Sequence, residues 1–311
     1  MQVTKGHAEG TAVGFNKQKK GARSYYPLFC TVAQTGQVLD FLHRPGNVHD
    51  SNGAREFILQ CVELVRRNCP YAVLEVRMDS AFFSDEIVGA LADQSVEFTI
   101  SVPFERFPAL KQIVEERRKW LRCGDGTWSF EIEWKPKSWL ESQRFVVIRK
   151  EVGTQRKGPM QLDLFEPQER SFEYKVIVTN KNTTTRSVTR YHEGRGAQES
   201  IFGEMKSDVA MGHIPVRRRN GNQMYLLAGL IGHNLIRELQ MRESPPQRGT
   251  VCRRATLWVF ERISTLRQEV FARAGRFTRP NGRLTLTINA VAKLRVKLLK
   301  LREAAAEKIA A

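Results

Sequence analysis

A short stretch decides the fold of this chain, and it reads Val73-Leu74-Glu75-Val76-Arg77-Met78-Asp79-Ser80. It is rich in apolar and β-branched residues and begins shortly after Pro70, which is typical of a buried interior strand in a parallel or mixed sheet. In open α/β sheets the chemistry sits at the carboxyl ends of such strands, where Asp79 lies. Asp79 is therefore the first candidate for a catalytic residue. Alternatively, Asp79 only caps the next turn of the chain, because Ser84 and Asp85 also resemble residues that begin a helix.

Composition limits the class of protein. The chain has 311 residues with 41% hydrophobic content, which is enough for one large core or two smaller ones. Its net charge of +17 and its pI near 10.0 indicate a polyanionic partner, for which nucleic acid is the usual candidate. The apolar runs are too short to span a bilayer, so no membrane partner is expected. The five cysteines form no C-x-x-C pair, and no signal-peptide pattern is present, so we expect a cytoplasmic protein without a disulfide framework.

The residues before the Asp79 strand predict a hairpin and a helix. We interpret residues 1–24 as a glycine-rich loop with one poor strand. Segments 26–33 and 37–42 are strand-like, and the turn between them is typical of an antiparallel hairpin. Apolar residues at helical spacing predict a helix over residues 52–67, with Asp50 or Ser51 as its cap.

The residues after Asp79 continue this pattern. A helix is predicted over residues 84–93 and a strand over residues 96–102. The order hairpin, helix, strand, helix, strand predicts a mixed α/β sheet.

A β-rich insertion comes next, from about residue 120 to residue 189. Three strands are predicted in it, at 128–134, 144–149 and 172–178, together with a polar excursion at 157–170. Four of the five tryptophans fall here: Trp120, Trp128, Trp134 and Trp139. They favour a hydrophobic core with a partly exposed aromatic surface, and base stacking by one of them is the less favoured alternative.

A further helix is predicted from Tyr191 to Lys206. At about 100° per residue its apolar side chains form one stripe, made of Ala197, Ile201, Met205 and Val209. On the opposite side, Arg195, Glu199 and Lys206 fall within about 40° of one another. A solvated charged face is the plain explanation of this cluster, and a catalytic acid with two basic partners is the other.

The C-terminal part combines an apolar helix with a basic tail. The apolar helix is predicted over residues 224–239, and its large aliphatic side chains are expected in the core: Leu226, Leu227, Leu230, Ile231, Leu235 and Ile236. A break at Ser244-Pro245-Pro246 is followed by a predicted helix over 255–270, a hairpin turning at Asn281-Gly282 and a basic terminal helix. Residues 241–311 hold 16 Lys and Arg against 5 Asp and Glu, which is +11 of the total charge. We interpret this tail as a region that contacts the DNA backbone, with a solvated basic surface as the alternative.

Several of these motifs together resemble the DDE transposases of bacterial insertion sequences, in the branch with a Tyr-Arg-Glu-Lys signature. The resemblance covers nearly the whole chain and includes residues 46–50, residues 77–83, the β-rich insertion and the segment 195–206. In that signature Glu199 is the last catalytic acid, and Arg195 and Lys206 are its basic partners. The family's spacing places the aromatic position on His192, while Tyr191 stands one residue earlier, so either residue can fill that role.

The resemblance implies a ribonuclease H-like fold in which two divalent ions, shared by carboxylates, serve phosphodiester cleavage. Asp79 and Glu199 would be metal ligands and catalytic residues, and their oxygen atoms suit Mg²⁺, with Mn²⁺ as a substitute. Arg195, Lys206, Tyr191 and His192 would bind DNA or orient the acids. The partners implied are double-stranded DNA, at the element ends and the target, and a second copy of the chain in a homodimer on DNA.

The chain is expected to divide into four parts. Residues 1–103 would begin the ribonuclease H-like catalytic domain, 104–189 form the β-rich insertion, 190–240 return to the catalytic domain, and 241–311 form the basic region. The function implied is a transposase that binds element-end DNA and catalyses metal-dependent cleavage and strand transfer. A truncated remnant that only binds DNA is the alternative, and a basic α/β protein that binds nucleic acid for structural reasons is a third.

The truncated alternative depends on the first acid of the family. The resemblance expects an Asp on a strand before the glycine-rich loop, but no Asp occurs before Asp40, and Glu9 lies within that loop. We therefore expect the chain to be N-terminally truncated, to lack the strand beside the Asp79 strand, and to be weak or inactive in catalysis.

Overall fold

The computed structural model describes residues 7–14, 20–49, 51–152, 172–246, 256–289 and 291–306, and the backbone of residues 2–3. The chain divides into two compact units. The central unit is Asp50–Arg195, and the terminal unit joins Met1–His49 to Gly196–Ala311. No helix of the described residues is long and apolar enough to cross a membrane.

The strands of the described residues are β1 (Gln2–Val3), β2 (Ala12–Val13), β3 (Arg23–Tyr25), β4 (Leu28–Thr31), β5 (Val38–Leu42), β6 (Glu75–Met78), β7 (Glu97–Ser101), β8 (Leu121–Gly124), β9 (Thr127–Trp134), β10 (Gln143–Glu151), β11 (Phe172–Thr179), β12 (Gly275–Thr278) and β13 (Thr285–Ile288). The helices are α1 (Ala54–Asn68), α2 (Asp85–Asp93), α3 (Pro108–Glu116), α4 (Thr185–Glu193), α5 (Ala197–Asp208), α6 (Arg219–Glu243), α7 (Ile263–Leu266) and α8 (Ala292–Ala306).

A six-stranded mixed sheet is the framework of the central unit. Its strands lie in the order β6-β7-β11-β10-β9-β8, with β6 parallel to β7 and the other neighbours antiparallel. The strands predicted as a β-rich insertion therefore continue the same sheet that carries Asp79. The predicted mixed α/β fold is confirmed. The polar excursion predicted at 157–170 lies outside the described residues, and the four-part domain division stays a prediction.

The strand that ends at Asp79 differs from its prediction in one respect. It is short and parallel to its neighbour, as expected, but among the described residues it lies at one end of the sheet and not in its interior. Only Met78 of this strand is buried, while Glu75 is exposed. Charged residues alternate with apolar ones along β6, so one of its faces is polar. A continuous apolar run would have been needed for a strand that is buried on both faces.

Two layers cover the central sheet. On one face α4 contributes Val188, which packs with Val146, Ile148 and Ile177. On the other face Phe83 stacks on Trp139, with ring centroids 4.7 Å apart. Of the four tryptophans in this unit, Trp139 is buried and the others are half-buried, as expected for core residues at the edge of an aromatic surface.

The terminal unit contains the predicted hairpin. Strands β4 and β5 pair antiparallel, from Leu28–Leu42 to Thr31–Val38. The predicted apolar stripe of α5 packs against this hairpin and against α6, in a cluster formed by Val38, Phe41, Ile201, Met205, Met211, Leu226 and Leu230. The region predicted as one poor strand instead forms three short strands, β1, β3 and β2, in one antiparallel sheet.

Helix α6 is longer than predicted, and its buried face differs from the prediction. Leu226 and Leu230 are buried, as expected, but Ile231 and Leu235 have exposed fractions of 58% and 63%. The reason is that α6 contacts its unit largely through polar side chains, with Asn222, His233, Arg237 and Gln240 all buried. Hydrophobicity alone therefore predicts the wrong burial for Ile231 and Leu235.

Three further helix predictions need correction. The helix predicted over 191–206 is broken by a 3₁₀ turn, Gly194–Gly196, where two glycines lower helix propensity. The helix predicted over 255–270 begins only at Ile263, because the backbone N–H of Leu257 instead donates to the Gln34 carbonyl. Ser51 does not cap α1, since Gly53 is the N-cap with φ +70°, and Asp50 lies outside the described residues.

Three structural predictions for the C-terminal part are confirmed. Helix α6 ends at Glu243, next to the predicted break. Strands β12 and β13 form the predicted hairpin, which turns at Asn281 and Gly282. The terminal helix α8 buries Leu294 and Leu301 against Leu266 and Val270.

Candidate active site

Asp79 lies directly after β6, at the carboxyl end of the strand. Its backbone is extended, and its Oδ1 accepts a hydrogen bond from the backbone N–H of Ala81 at 3.0 Å. Asp79 therefore caps the 3₁₀ turn Ser80–Phe82, which is the capping role that the sequence left open as an alternative. The same bond fixes the orientation of the carboxylate, while Oδ2 has no hydrogen bond to any described residue. Asp79 is half-buried as a residue, and this unbonded oxygen is available for a ligand.

Arg77 precedes Asp79 by two residues and lies on the same face of β6. Its Nη1 donates to the backbone carbonyl of Tyr191 at 2.9 Å, near the C-terminus of α4. A cation is favourable there, because the carbonyls of the last helical turn carry partial negative charge. A Cβ added at Gly194 would lie 2.1 Å from Arg77 Nη1, so the guanidinium occupies the space that a side chain would need.

Arg77 is not among the site residues that the sequence predicts. The signal that could have identified it is the period of two in a strand, which puts Arg77 and Asp79 on one face. The helix end that Arg77 contacts is more than a hundred residues away in the chain, so its partner could not be read from local sequence.

Tyr191 packs beneath two cations. Its ring centroid is 4.8 Å from Arg77 Cζ and 4.6 Å from Lys181 Nζ, both within the range of cation–π attraction. Burial, and then the negative charge of Glu75, raises the pKa of the Tyr191 hydroxyl well above its usual value. The phenol therefore stays protonated and serves as a donor.

Lys181 neutralises two carboxylates that face each other across β6 and β7. Glu75 and Glu97 are opposite residues in the parallel ladder, where like charges would repel. The buried Lys181 ammonium forms ion pairs with both. Burial opposes the charged form, but hydrogen bonds to Glu75 and Glu97 outweigh it and raise the pKa of Lys181. The hydrogen bond from Lys181 in turn lowers the pKa of Glu97.

His192 belongs to α4 and is fully buried on the inner side of that helix. Its Nδ1 lies 2.9 Å from Thr99 Oγ1 and its Nε2 lies 2.8 Å from Ser101 Oγ. Burial, followed by the positive charges of Lys175, Arg195 and Arg77, lowers the pKa of His192 to about 3. The imidazole is thus neutral at pH 7. His192 lies inside the fold and Tyr191 at its edge, and which one fills the aromatic position stays a prediction.

Glu199 and Lys206 belong to the terminal unit. Glu199 lies in the first turn of α5 and Lys206 in the last, two turns apart on one side, and both are exposed. Glu199 has no hydrogen bond or ion pair with any other described residue. Arg195 is not on α5 as predicted, because it lies in the 3₁₀ turn and is half-buried in the central unit. Asp79 and Glu199 belong to different units, so a metal shared by them stays a prediction.

Two buried acids that are not among the predicted site residues hold α5 in place. Glu204 forms an ion pair with Arg237 and accepts from the Ile263 N–H at 2.9 Å. Asp208 accepts from the Ser264 N–H at 3.0 Å. Burial acts against ionisation of Asp208, but bonds from Ser207 and Ser264 outweigh it and lower its pKa to about 2. These acids fix the inner side of the helix, whereas Glu199 is left free on its surface.

The donor chemistry of the two candidate acids fits a divalent ion. Carboxylate oxygens are the hard ligands that Mg²⁺ and Mn²⁺ bind, and both acids have an oxygen without a partner among the described residues. In the described part of the chain, no group of three or more His, Cys, Asp or Glu side chains could hold a metal by itself. The cysteines whose surroundings are described, namely Cys30, Cys61, Cys69 and Cys123, are not in disulfides.

Replacing Gly194 tests the contact between Arg77 and α4. We expect Gly194→Ala to expel the guanidinium and to lower the free energy of unfolding by about 1–2 kcal/mol, because a charge-assisted hydrogen bond is lost. Urea unfolding would measure this. Gly89→Ala is the matched control, because a Cβ at Gly89 meets nothing within 4 Å. This loss of unfolding free energy should vanish when Gly194→Ala is made in an Arg77→Ala background. An unchanged loss there would contradict the contact between Arg77 and α4.

The buried imidazole of His192 predicts acid sensitivity. In the unfolded chain His192 binds a proton below about pH 6.5, but in the folded chain only near pH 3. The folded state therefore loses up to about 1.4 kcal/mol for each pH unit below 6.5. Urea titrations at several pH values between 7 and 4 would measure the free energy of unfolding. For His192→Gln this free energy should fall less steeply with decreasing pH than it does for the parent chain. Equal slopes for the two proteins would show that His192 titrates normally.

Comparison with known proteins agrees with these observations. A search of curated proteins found no match. The family model described as transposase DDE domain group 1 matches residues 2–305, nearly the whole chain. The match includes the strand that ends at Asp79 and the helix that carries Glu199. The chain belongs to the family of DDE-domain transposases.

Proposed function

We propose that this chain is the transposase of an insertion sequence, which binds the DNA of the element ends and performs metal-dependent strand cleavage and strand transfer. The observation that carries the proposal is the pair of available carboxylates, Asp79 at the carboxyl end of a strand and Glu199 at the exposed start of a helix, within a DDE-domain chain. A transposase acts on DNA, and the net charge of +17 suits such a partner.

Asp79 and Glu199 would hold the divalent metal, with Mg²⁺ as the expected ion and Mn²⁺ as a substitute. When bound, the metal supplies Lewis-acid stabilisation of charge on the phosphodiester oxygens. The Asp79 carboxylate enters this role already oriented by the Ala81 N–H. Glu199 lies in the first turn of α5 and is exposed, so its carboxylate is accessible to a metal ion.

The basic residues around these acids would hold phosphate groups. Arg195 and Lys206 are the candidates for direct contact, since a guanidinium and an ammonium both bind phosphate oxygens. Tyr191 keeps its phenolic proton and would donate a hydrogen bond. His192 is too deeply buried to touch DNA, so its role in this proposal is to position α4 through Thr99 and Ser101.

The basic tail would supply most of the attraction to DNA. Residues 241–311 carry +11 of the total charge, and neutralising phosphates requires cations but no particular sequence. We also propose that two copies act together on double-stranded DNA.

Substitution of the two acids separates cleavage from binding. With Mg²⁺ and a duplex containing the DNA that flanks the gene, the chain should nick, whereas Asp79→Asn and Glu199→Gln should reduce the nicking rate at least about 100-fold, because each removes a metal ligand. DNA affinity should stay within about threefold, because cations supply the attraction. Asp93→Asn and Glu115→Gln are the matched controls, since both acids are exposed in helices of the central unit.

The same assay decides between the proposal and its alternative. If the 311-residue chain binds the duplex but never nicks it with Mg²⁺ or Mn²⁺, it acts as a DNA-binding polypeptide without catalysis. Nicking that survives Asp79→Asn would contradict the assignment of that residue.

A further inference from the structure

Strands β12 and β13 form an exposed ribbon in the terminal unit. Four cross-strand pairs join them, from Gly275–Ile288 at the base to Thr278–Thr285 near the tip. Asn281 and Gly282 turn the chain with φ values of 53° and 77°, in the left-handed region that tight hairpin turns use. A two-stranded ribbon is only marginally stable by itself, so a partner would stabilise it.

The two faces of this ribbon differ in chemistry. Side chains alternate between the faces, so one face carries only polar groups: Arg276, Thr278, Thr285 and Thr287. The other face carries Phe277 and Leu286, with exposed fractions of 68% and 53%. Arginine and threonine are residue types that bond to base edges in a DNA groove.

The ribbon also carries positive charge that no described residue of its unit neutralises. Arg279 and Arg283 flank the tip, Arg276 lies on the polar face, and all three are exposed. None of them has an ion pair with a described residue, whereas Lys297 of the neighbouring α8 bonds to Glu261 and Glu269. The sequence contains no acid between Glu269 and Glu303. The hairpin therefore concentrates three exposed cations without a described ion-pair partner in one short element, which suits a polyanion.

We propose that the β12–β13 hairpin enters the major groove of duplex DNA. This inference rests on the proposed function and narrows the DNA contact of the basic tail to one element. Arg279 and Arg283 bind phosphates beside the groove, and the Arg276 face points to the base edges. The major groove is about 12 Å wide and admits a two-stranded ribbon in undistorted DNA, whereas the minor groove of about 6 Å must be widened before a ribbon can enter it.

A matched pair of triple variants tests this placement in the full-length chain. The hairpin variant is Arg276→Gln, Arg279→Gln and Arg283→Gln. The control is Arg295→Gln, Lys300→Gln and Arg302→Gln, which removes the same charge from exposed positions of α8. Affinity for a duplex of the DNA that flanks the gene would be measured from 50 to 300 mM salt. Methylation of that duplex by dimethyl sulfate would report guanine N7 in the major groove and adenine N3 in the minor groove.

The hairpin variant should bind on the order of 100-fold more weakly at 0.15 M salt, because two phosphate contacts and one base contact are lost. Its plot of log affinity against log salt should be shallower by roughly 2. The control should lose less than roughly fivefold, because its charges contribute only through long-range attraction. Guanine N7 protection should be present with the parent chain and the control and absent with the hairpin variant.

Several outcomes would overturn the proposal. Equal losses in the two variants would mean that only the total charge matters. Protection confined to adenine N3 would place the contact in the minor groove. A hairpin variant that binds DNA normally but changes the oligomeric state would assign the ribbon to a second copy of the chain.

Two controls keep the test independent of folding and of the proposed function. The thermal midpoint of each triple variant should stay within about 2 °C of the parent, because the substituted side chains are exposed. An Arg→Lys triple at the same hairpin positions keeps the charge and should restore the salt dependence. If the parent chain itself does not bind the duplex, the proposed function fails, whereas a failure of the hairpin proposal leaves that binding intact.

Discussion

The contact between Arg77 and the end of α4 is the interaction on which the candidate site of the central unit depends. Strand β6 places Arg77 and Asp79 on one face, and the Arg77 guanidinium bonds to the Tyr191 carbonyl. Gly194 leaves the space for that guanidinium. The chain continues directly from there into the turn that holds Arg195. One charge-assisted hydrogen bond thus joins the end of β6 to the end of α4. The first end carries Asp79, and the second leads to Arg195.

Charge compensation beneath α4 supports this arrangement. Glu75 and Glu97 would repel each other across the parallel ladder, and Lys181 bonds to both. His192 avoids the cost of a buried charge by remaining neutral, with both ring nitrogens bonded to hydroxyl groups. Each of these polar groups near the strand end therefore has a partner, which gives the helix a defined position over the sheet.

The sequence predicted the parts of the fold that depend on local signals. The β4–β5 hairpin, the Ser84 cap of α2 and the Asn281-Gly282 turn result from turn and capping chemistry, and all three were confirmed. The family resemblance was also confirmed. Asp79 was correctly placed at the carboxyl end of a strand, because a β-rich run ending in a carboxylate is a local pattern.

The predictions that failed depended on partners far away in the sequence. Helix α6 was expected to bury Ile231 and Leu235. It instead buries Arg237, which forms an ion pair with Glu204 of α5. The helix predicted over 255–270 begins only at Ile263, because the backbone N–H of Leu257 donates to the distant Gln34 carbonyl instead. Periodicity identifies the faces of a helix, whereas buried charge pairs determine which face packs against the rest of the unit.

We propose that Asp79 and Glu199 act on one divalent metal centre. The most direct test replaces Mg²⁺ with Fe²⁺ in the complex with flanking DNA and adds ascorbate, so that radicals formed at the metal cut the nearby polypeptide. Mass spectrometry of the fragments should show cuts around both Asp79 and Glu199, and both sets should disappear with excess Mg²⁺ or with Glu199→Gln. Cuts near only one of the two acids, or cuts that excess Mg²⁺ does not suppress, would contradict the account.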